Sequence, residues 1–352
     1  MTNPYELIAQ QEEMDYGPER VALAEEAVRL ADLSGDEEAG YDTRMALIDT
    51  VNMSGQSEKM FAPFAWCQDF AARHPDYASD YMLAWYHKWL LGAAHQLPQI
   101  PLRRIHELHA SYAQYARRLG AGASSIPYLQ MELAMHVGDH AAAARAYNVW
   151  QFAKGDMLSD CPACEAQTGA EYHLFMGDDA ATIKQGQHIL DKGLTCGHIP
   201  HLTYGTLLLP LLRSGKSELA AQYAAQGREM VAGDRDFLST QAEHLEYLAL
   251  TDPGAGVAWY ERHLSWAEAT REMRSKLDFH AAAALLFTRV EGETVRLTLP
   301  ELVEGHAAGG IYPVAERLNY HREEALRLAA LFDTRAGNDF ATQQAERTFN
   351  AS

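Results

Sequence analysis

Gly138-Asp-His-Ala-Ala-Ala-Ala-Arg-Ala-Tyr-Asn-Val-Trp150 is a short turn signal that opens a helix. After the glycine, Ala143, Ala146, Tyr147 and Trp150 fall at i, i+3, i+4 and i+7, which places them on one helical face. Similar signals stand at Gly177-Asp178, Gly215-Lys216 and Asp252-Pro253-Gly254. Their glycines are 39, 38 and 39 residues apart. A near-constant interval is the mark of a repeated helix-turn-helix unit. The helix after Gly215 repeats the pattern with Ala220, Tyr223, Ala224, Gly227 and Val231. Before Gly215, Thr203 to Arg213 is apolar nearly all round, as expected of a helix sandwiched between neighbours, and Pro210 is predicted to kink it.

Working outward, the pattern predicts helices at about 18–31, 41–53, 56–73, 77–95, 101–118 and 125–137. The breaks fall at Gly55, His74-Pro75, Leu97-Pro98 and Gly120-Ala-Gly122. The expected fold is therefore all-α, a helical-repeat solenoid of about seven helix pairs over residues 1–290. Strand-like alternation first appears at Glu291 to Pro300. A helix near 313–333 and the polar stretch from Ala341 to Ser352 complete a C-terminal cap, residues 291–352.

A glycine turn followed by an Ala-rich amphipathic helix, as from Gly138-Asp139 to Tyr147, resembles the turn and second helix of a tetratricopeptide repeat. Ala143, Ala170 and Ala220 match its small packing positions. Leu208, Met131 and Trp259 depart from them, and the period is longer than that family's 34 residues. In tetratricopeptide repeats the first helix of each pair lines a groove for a protein or peptide. By register from the glycines, the resemblance implies Tyr128, Glu132, Gln167, Glu171, Gln241 and His244 as groove residues, a mix suited to a polar or basic peptide. A narrower resemblance is to an uncharacterised group of bacterial repeat proteins with Asp-Cys-x-x-Cys followed by Cys-x-x-x-Pro-His-x-Thr. The matching stretches here are Asp160-Cys161-Pro-Ala-Cys164 and Cys196-Gly-His-Ile-Pro200-His201-Leu-Thr203, with Leu331 to Asn338 alongside. That group implies no activity.

The 352 residues are 47% hydrophobic and 22% charged, an ordinary composition for a folded chain. With 29 Lys+Arg against 48 Asp+Glu, the formal charge is −19, spread along the chain. This disfavours a nucleic-acid backbone, which calls for a basic stripe, and leaves a basic peptide, a basic protein or a cation as partner, or a solvated acidic surface. No basic stretch followed by an apolar run opens the chain, and no apolar run approaches ~20 residues, so a cytoplasmic address without membrane insertion is expected. In that compartment Cys67, Cys161, Cys164 and Cys196 are expected as thiols or metal ligands.

Cys161 and Cys164 can converge on one ion from a single turn, and zinc favours four such ligands arranged tetrahedrally. Cys196 with His201, or with His198, supplies a second half-site one period later. Equivalent loops of adjacent repeats lie side by side in a solenoid, so the halves can meet. A closed shell of Cys161, Cys164, Cys196 and His201 would be a structural zinc clasp. His173 and His188 could support it from outside. Inert thiols and a redox disulfide are the alternatives. Cys67, near Phe64, Trp66 and Phe70, reads as core.

No nucleotide-binding, metalloprotease or nucleophile-elbow motif occurs. His87, His95, His106 and His109 suit packing or surface roles, and Tyr81, Trp85, Tyr86 and Trp89 form a wide apolar stripe on one helix, suited to core or to a peptide groove. The function expected is a non-enzymatic scaffold for a protein or peptide. The rivals are a ligand-sensing regulatory receptor and an enzyme with an open zinc site, using Asp160 or Glu165 as base.

Overall fold

The glycines that pace the sequence end helices. Gly138, Gly177 and Gly215 have φ of +77°, +76° and +71°, the left-handed region that costs glycine nothing. In each case the next residue's N–H turns back to a carbonyl five residues earlier: Asp139 to Ala134 at 2.8 Å, Asp178 to His173 at 2.9 Å, and Lys216 to Leu211 at 2.9 Å. This bond satisfies a carbonyl that the helix end would leave open. The aspartates then start the next helix: Asp139 Oδ1 accepts from the Ala142 N–H at 2.8 Å and Asp178 Oδ1 from that of Ala181 at 3.0 Å. Gly35-Asp36 is a related turn, with φ +71° at Gly35 and Asp36 capping the helix behind it. The fourth marker is built differently. Asp252 caps, Pro253 begins the helix, and Gly254 lies within it.

The structure, a computed structural model, describes residues 3–301, 303 and 305–351. It divides into two compact units, Met1–Gln130 with Val149–Ser159, and Met131–Asn148 with Asp160–Ser352. The first contains α1 (Pro4–Glu12), α2 (Pro18–Ser34), α3 (Glu37–Asn52), α4 (Phe61–Arg73), α5 (Asp80–Gln96) and α6 (Leu102–Arg118). Next in the chain are α7 (Ser125–Val137) and α8 (His140–Trp150). The second unit continues with α9 (Pro162–Phe175), α10 (Asp179–Asp191), α11 (His201–Arg213), α12 (Ser217–Val231), α13 (Leu238–Thr251), α14 (Pro253–Ala269) and α15 (Met273–Arg289). It ends with strands β1 (Thr294–Arg296) and β2 (Ile311–Pro313), then α16 (Val314–Ala336) and α17 (Phe340–Phe349). Within each unit, helices pack on their chain neighbours, and in the second α9, α11, α13 and α15 also pack on one another in succession. This is an all-α helical-repeat fold.

The first core gathers Ile48, Phe64, Phe70, Leu83, Ile105 and Tyr112, all buried. Cys67 sits in it, its thiol pushed up to about 12 by burial. His87 is core too: edge-on to Phe64 and Tyr112, its imidazole is pulled down to about 4 by burial. The stripe on α5 is divided, with Tyr86 buried and Tyr81 exposed. Lys88 on the same helix is buried, its ammonium donating to the Leu158 carbonyl at 2.9 Å and lying over the Trp85 ring.

The helices predicted from Pro18 to Val137 all occur, with starts displaced by up to five residues where a 3-10 turn, Ser57–Met60, precedes α4. Helix α1, held by a capping box on Asn3, has no counterpart in the periodic reading. Helix α11 is continuous across Pro210. The extended stretch at 291–300 holds β1, which pairs antiparallel with β2, Val295 opposite Tyr312. The polar tail is mostly helix, and α17 packs Ala341, Ala345 and Phe349 against α15 and α16. Ser352 lies outside the described residues.

Two of the turn glycines separate backbone strain from packing. At Gly177 an added Cβ meets nothing within 4 Å, so Gly177→Ala should cost about 1 kcal/mol for the left-handed backbone alone. At Gly138 the added Cβ would lie 2.3 Å from Phe340 Cγ, and Gly138→Ala should cost about 1–3 kcal/mol more. Denaturant midpoints of the two variants check the order; equal midpoints would remove the Phe340 contact from the account.

Candidate metal centre and carboxyl face

Cys161 is the N-cap of α9. Its extended backbone and Pro162 at the first helical position set the turn, and its Sγ accepts from the Cys164 N–H at 3.5 Å. That turn brings the Cys161 and Cys164 sulfurs to 3.5 Å. Cys196 arrives from the connection between α10 and α11. There the Cys196 N–H donates to the Ile199 carbonyl at 3.1 Å and the Ile199 N–H back to the Cys196 carbonyl at 3.3 Å, closing a tight loop. Ile199 anchors it in a small apolar cluster with Ala163, Ala166 and Ile189, against which Cys161 and Cys164 also pack. All three sulfurs lie within 4.8 Å of one another. Thiolates about 2.3 Å from a tetrahedral ion stand about 3.8 Å apart, so this cluster could hold a metal ion with little movement.

The electrostatics agree. Burial works against ionising Cys161, but hydrogen bonds from the Cys164 N–H and from the neighbouring thiols hold its thiol below the ordinary range. Cys164 is pushed up, first by burial and then by those same neighbours. Three thiols so placed cannot all ionise without a cation among them. Cys161 and Cys164 are half-buried and Cys196 is exposed, so the cluster is open to solvent on the Cys196 side.

The predicted fourth ligand is elsewhere. Neither His201 nor His198 brings a ring nitrogen into the three-sulfur group among the described residues. Both pack on Phe237 of the next repeat, His201 stacked with centroids 4.8 Å apart and His198 edge-on at 5.3 Å. Burial holds both imidazoles below their usual range. The His201 Nδ1 is buried without a hydrogen-bond partner. His173 instead shares a hydrogen bond with the Tyr147 hydroxyl at 3.2 Å, and His188 is exposed on α10.

The six groove residues have different fates. Tyr128 is half-buried, its ring 5.8 Å from that of Trp150, and Glu132 is half-buried on α7. Gln167 is buried between α9 and α11, donating to Thr206 and Glu171 and accepting from Thr203 at 2.8 Å. Gln241 is buried and donates to the Val231 and Asp234 carbonyls. His244 is fully buried beside Trp259 and Gly227, its imidazole pulled down to about 3 by burial. Packing between helices occupies these last three, and they offer no surface to a partner. Glu171 does face outward in part, and it has company that the sequence did not single out. Glu243 and Glu246 on α13 and Asp278 on α15 are half-buried, and burial followed by their mutual repulsion raises Glu243 well above the carboxyl range. Glu171 and Asp278 are raised by burial as well. Glu243 also presses on Gly205 of α11, where an added Cβ would stand 2.1 Å from Oε2.

No protein-family model matches the chain, and no curated protein matches it. The class therefore rests on the fold and the site: an all-α helical-repeat protein with a three-cysteine cluster that could hold a metal ion. No helix among the described residues is long and apolar enough to cross a membrane.

The carboxyl face gives a pH signature. Burial raises Glu246 from 4.5 to about 7, against the pull of Arg213. The native state therefore binds this proton more tightly than the unfolded chain, a contribution complete below pH 4.5 and lost as pH rises through about 7. Glu246→Gln should thus raise thermal stability at pH 8.5, by of order 1 kcal/mol, and leave it unchanged at pH 4. A gain of equal size at both pH values would remove ionisation as its cause.

Proposed function

We propose that this protein is a non-enzymatic scaffold of the tetratricopeptide type that presents its carboxyl face to a basic protein or peptide, stiffened by one structural zinc ion. The observation that carries the reading is the meeting of Cys161 and Cys164, at the start of α9, with Cys196, one repeat later, before α11. A metal held by these three would tie adjacent repeats together and fix the angle between them. Soft thiolates favour zinc over hard cations. With no histidine in the group, the fourth position falls to a ligand from outside the three cysteines. The partner reading draws on Glu171 of α9 and Glu243 and Glu246 of α13, with Asp278 of α15 beside them in a pair with Arg274, and on the formal charge of −19. Lysine or arginine side chains would restore the ionised form of these acids and gain charge-assisted hydrogen bonds.

Metal analysis of protein purified without added metal should find about one zinc per chain. Cys196→Ser should lower zinc content and the melting temperature together, and chelation should lower the wild type to the level of the variant. Substoichiometric zinc with Cys161, Cys164 and Cys196 titrating freely would end the clasp reading. Binding of a lysine-rich peptide that weakens in Glu243→Gln checks the partner half independently.

A further inference from the structure

A second site is built into the first unit. Tyr5 of α1, Tyr41 of α3, Tyr77 before α5 and Tyr86 within it line a cleft of about 490 Å³ together with Asp42. Asp42 Oδ2 accepts the Tyr77 hydroxyl at 2.8 Å and the Tyr5 hydroxyl at 3.2 Å. Both phenols thus donate hydrogen bonds to the carboxylate, and Asp42 forms no ion pair among the described residues. The Tyr41 and Tyr77 rings stand at 83° with centroids 5.9 Å apart, two walls of a corner. Met45 and Met82 complete the lining with soft thioethers that adapt to a ligand's shape.

Tyr41 is only 5% exposed and its hydroxyl is closed off beside the Ser79 backbone, so what it offers the cleft is its ring. The ring faces carry negative quadrupole potential and attract cations, and the carboxylate repels anions. A neutral apolar guest would leave the charge of Asp42 unmatched, its two phenol donors being neutral.

We propose that this cleft binds a small organic ammonium cation, its charged head against the tyrosine rings and Asp42. Choline is a suitable probe, because 3,3-dimethylbutan-1-ol matches its shape and hydroxyl without the charge. Titration of the full chain, followed by calorimetry, should show choline binding about tenfold more tightly than the neutral alcohol. Asp42→Asn and Tyr77→Leu should each weaken choline about fivefold or more and leave the alcohol little changed. Tyr5→Leu keeps the test valid if those variants unfold, because Tyr5 is 43% exposed and its loss leaves the core intact. N-acetyl-lysine methylamide separates two sources of the same chemistry. Tighter binding of choline assigns a free ammonium compound, and tighter binding of the lysine amide assigns a side chain of a partner. Equal affinity for choline and the alcohol, or choline binding unaffected by Asp42→Asn and Tyr5→Leu, would overturn the proposal.

Discussion

The constraint on which the repeat depends is the left-handed glycine that closes one helix one residue before the next is capped. Because Gly138, Gly177 and Gly215 reverse the chain so abruptly, the second helix must run back along the first. A pair made this way buries only one side of each helix, and the other sides stay apolar: Leu207, Leu208 and Leu211 on α11 are all buried, which no single partner could achieve. Further pairs must stack on it, and the stack supplies the core. A strained φ at each turn, tolerable only for glycine, thus determines the neighbour-to-neighbour packing of the second unit.

Stacking also decides which loops are neighbours. The start of α9 and the connection before α11 occupy equivalent places in successive repeats, so three cysteines 35 residues apart at most come within 4.8 Å. The same juxtaposition is reinforced by polar contacts along the helices, where Gln167 bonds both Thr203 and Thr206 across α9 and α11. A metal at the cysteines would act on a junction already fixed in register by a buried amide. Its contribution would fall on the loop end of the junction, where the small Ile199 cluster packs.

Much of this was legible in the residues. Helix periods and turn spacing were enough for the architecture, since glycine ends and amphipathic faces are local properties. The cysteine cluster followed because its 35-residue span comes close to the 38–39-residue repeat. What failed to show was anything decided by a third repeat. His201 and His198 have the spacing of ligands, yet an aromatic ring 36 residues further on, Phe237, takes both. Counting from Gly254 misled for a related reason: it lies one residue inside α14, whereas Gly215 lies two before α12, so the two markers are not equivalent. Glu243 and Glu246 gave no sign because a glutamate among apolar residues reads as a solvated helix edge, and only stacking brings it against Asp278 and Glu171. In the first unit the cleft around Asp42 escaped notice because its tyrosines come from three helices and a loop.

Holding several carboxyls half-buried is expensive even where Arg274 pairs with Asp278 and Arg213 draws on Glu246, and apolar residues in their place would give a more stable stack. On the scaffold reading, that expense is recovered when a cationic partner binds. Lysine or arginine groups beside Glu243 and Glu246 would lower both pKa values, so protons would leave as the partner arrives. The sign follows for Glu246: as pH rises through about 7, where it ionises in the free protein, the displacement of its proton ceases to oppose binding. On the scaffold reading, affinity for a basic partner would therefore rise across that interval, and the half-buried acids would set both the stability cost of the free scaffold and the pH at which it engages.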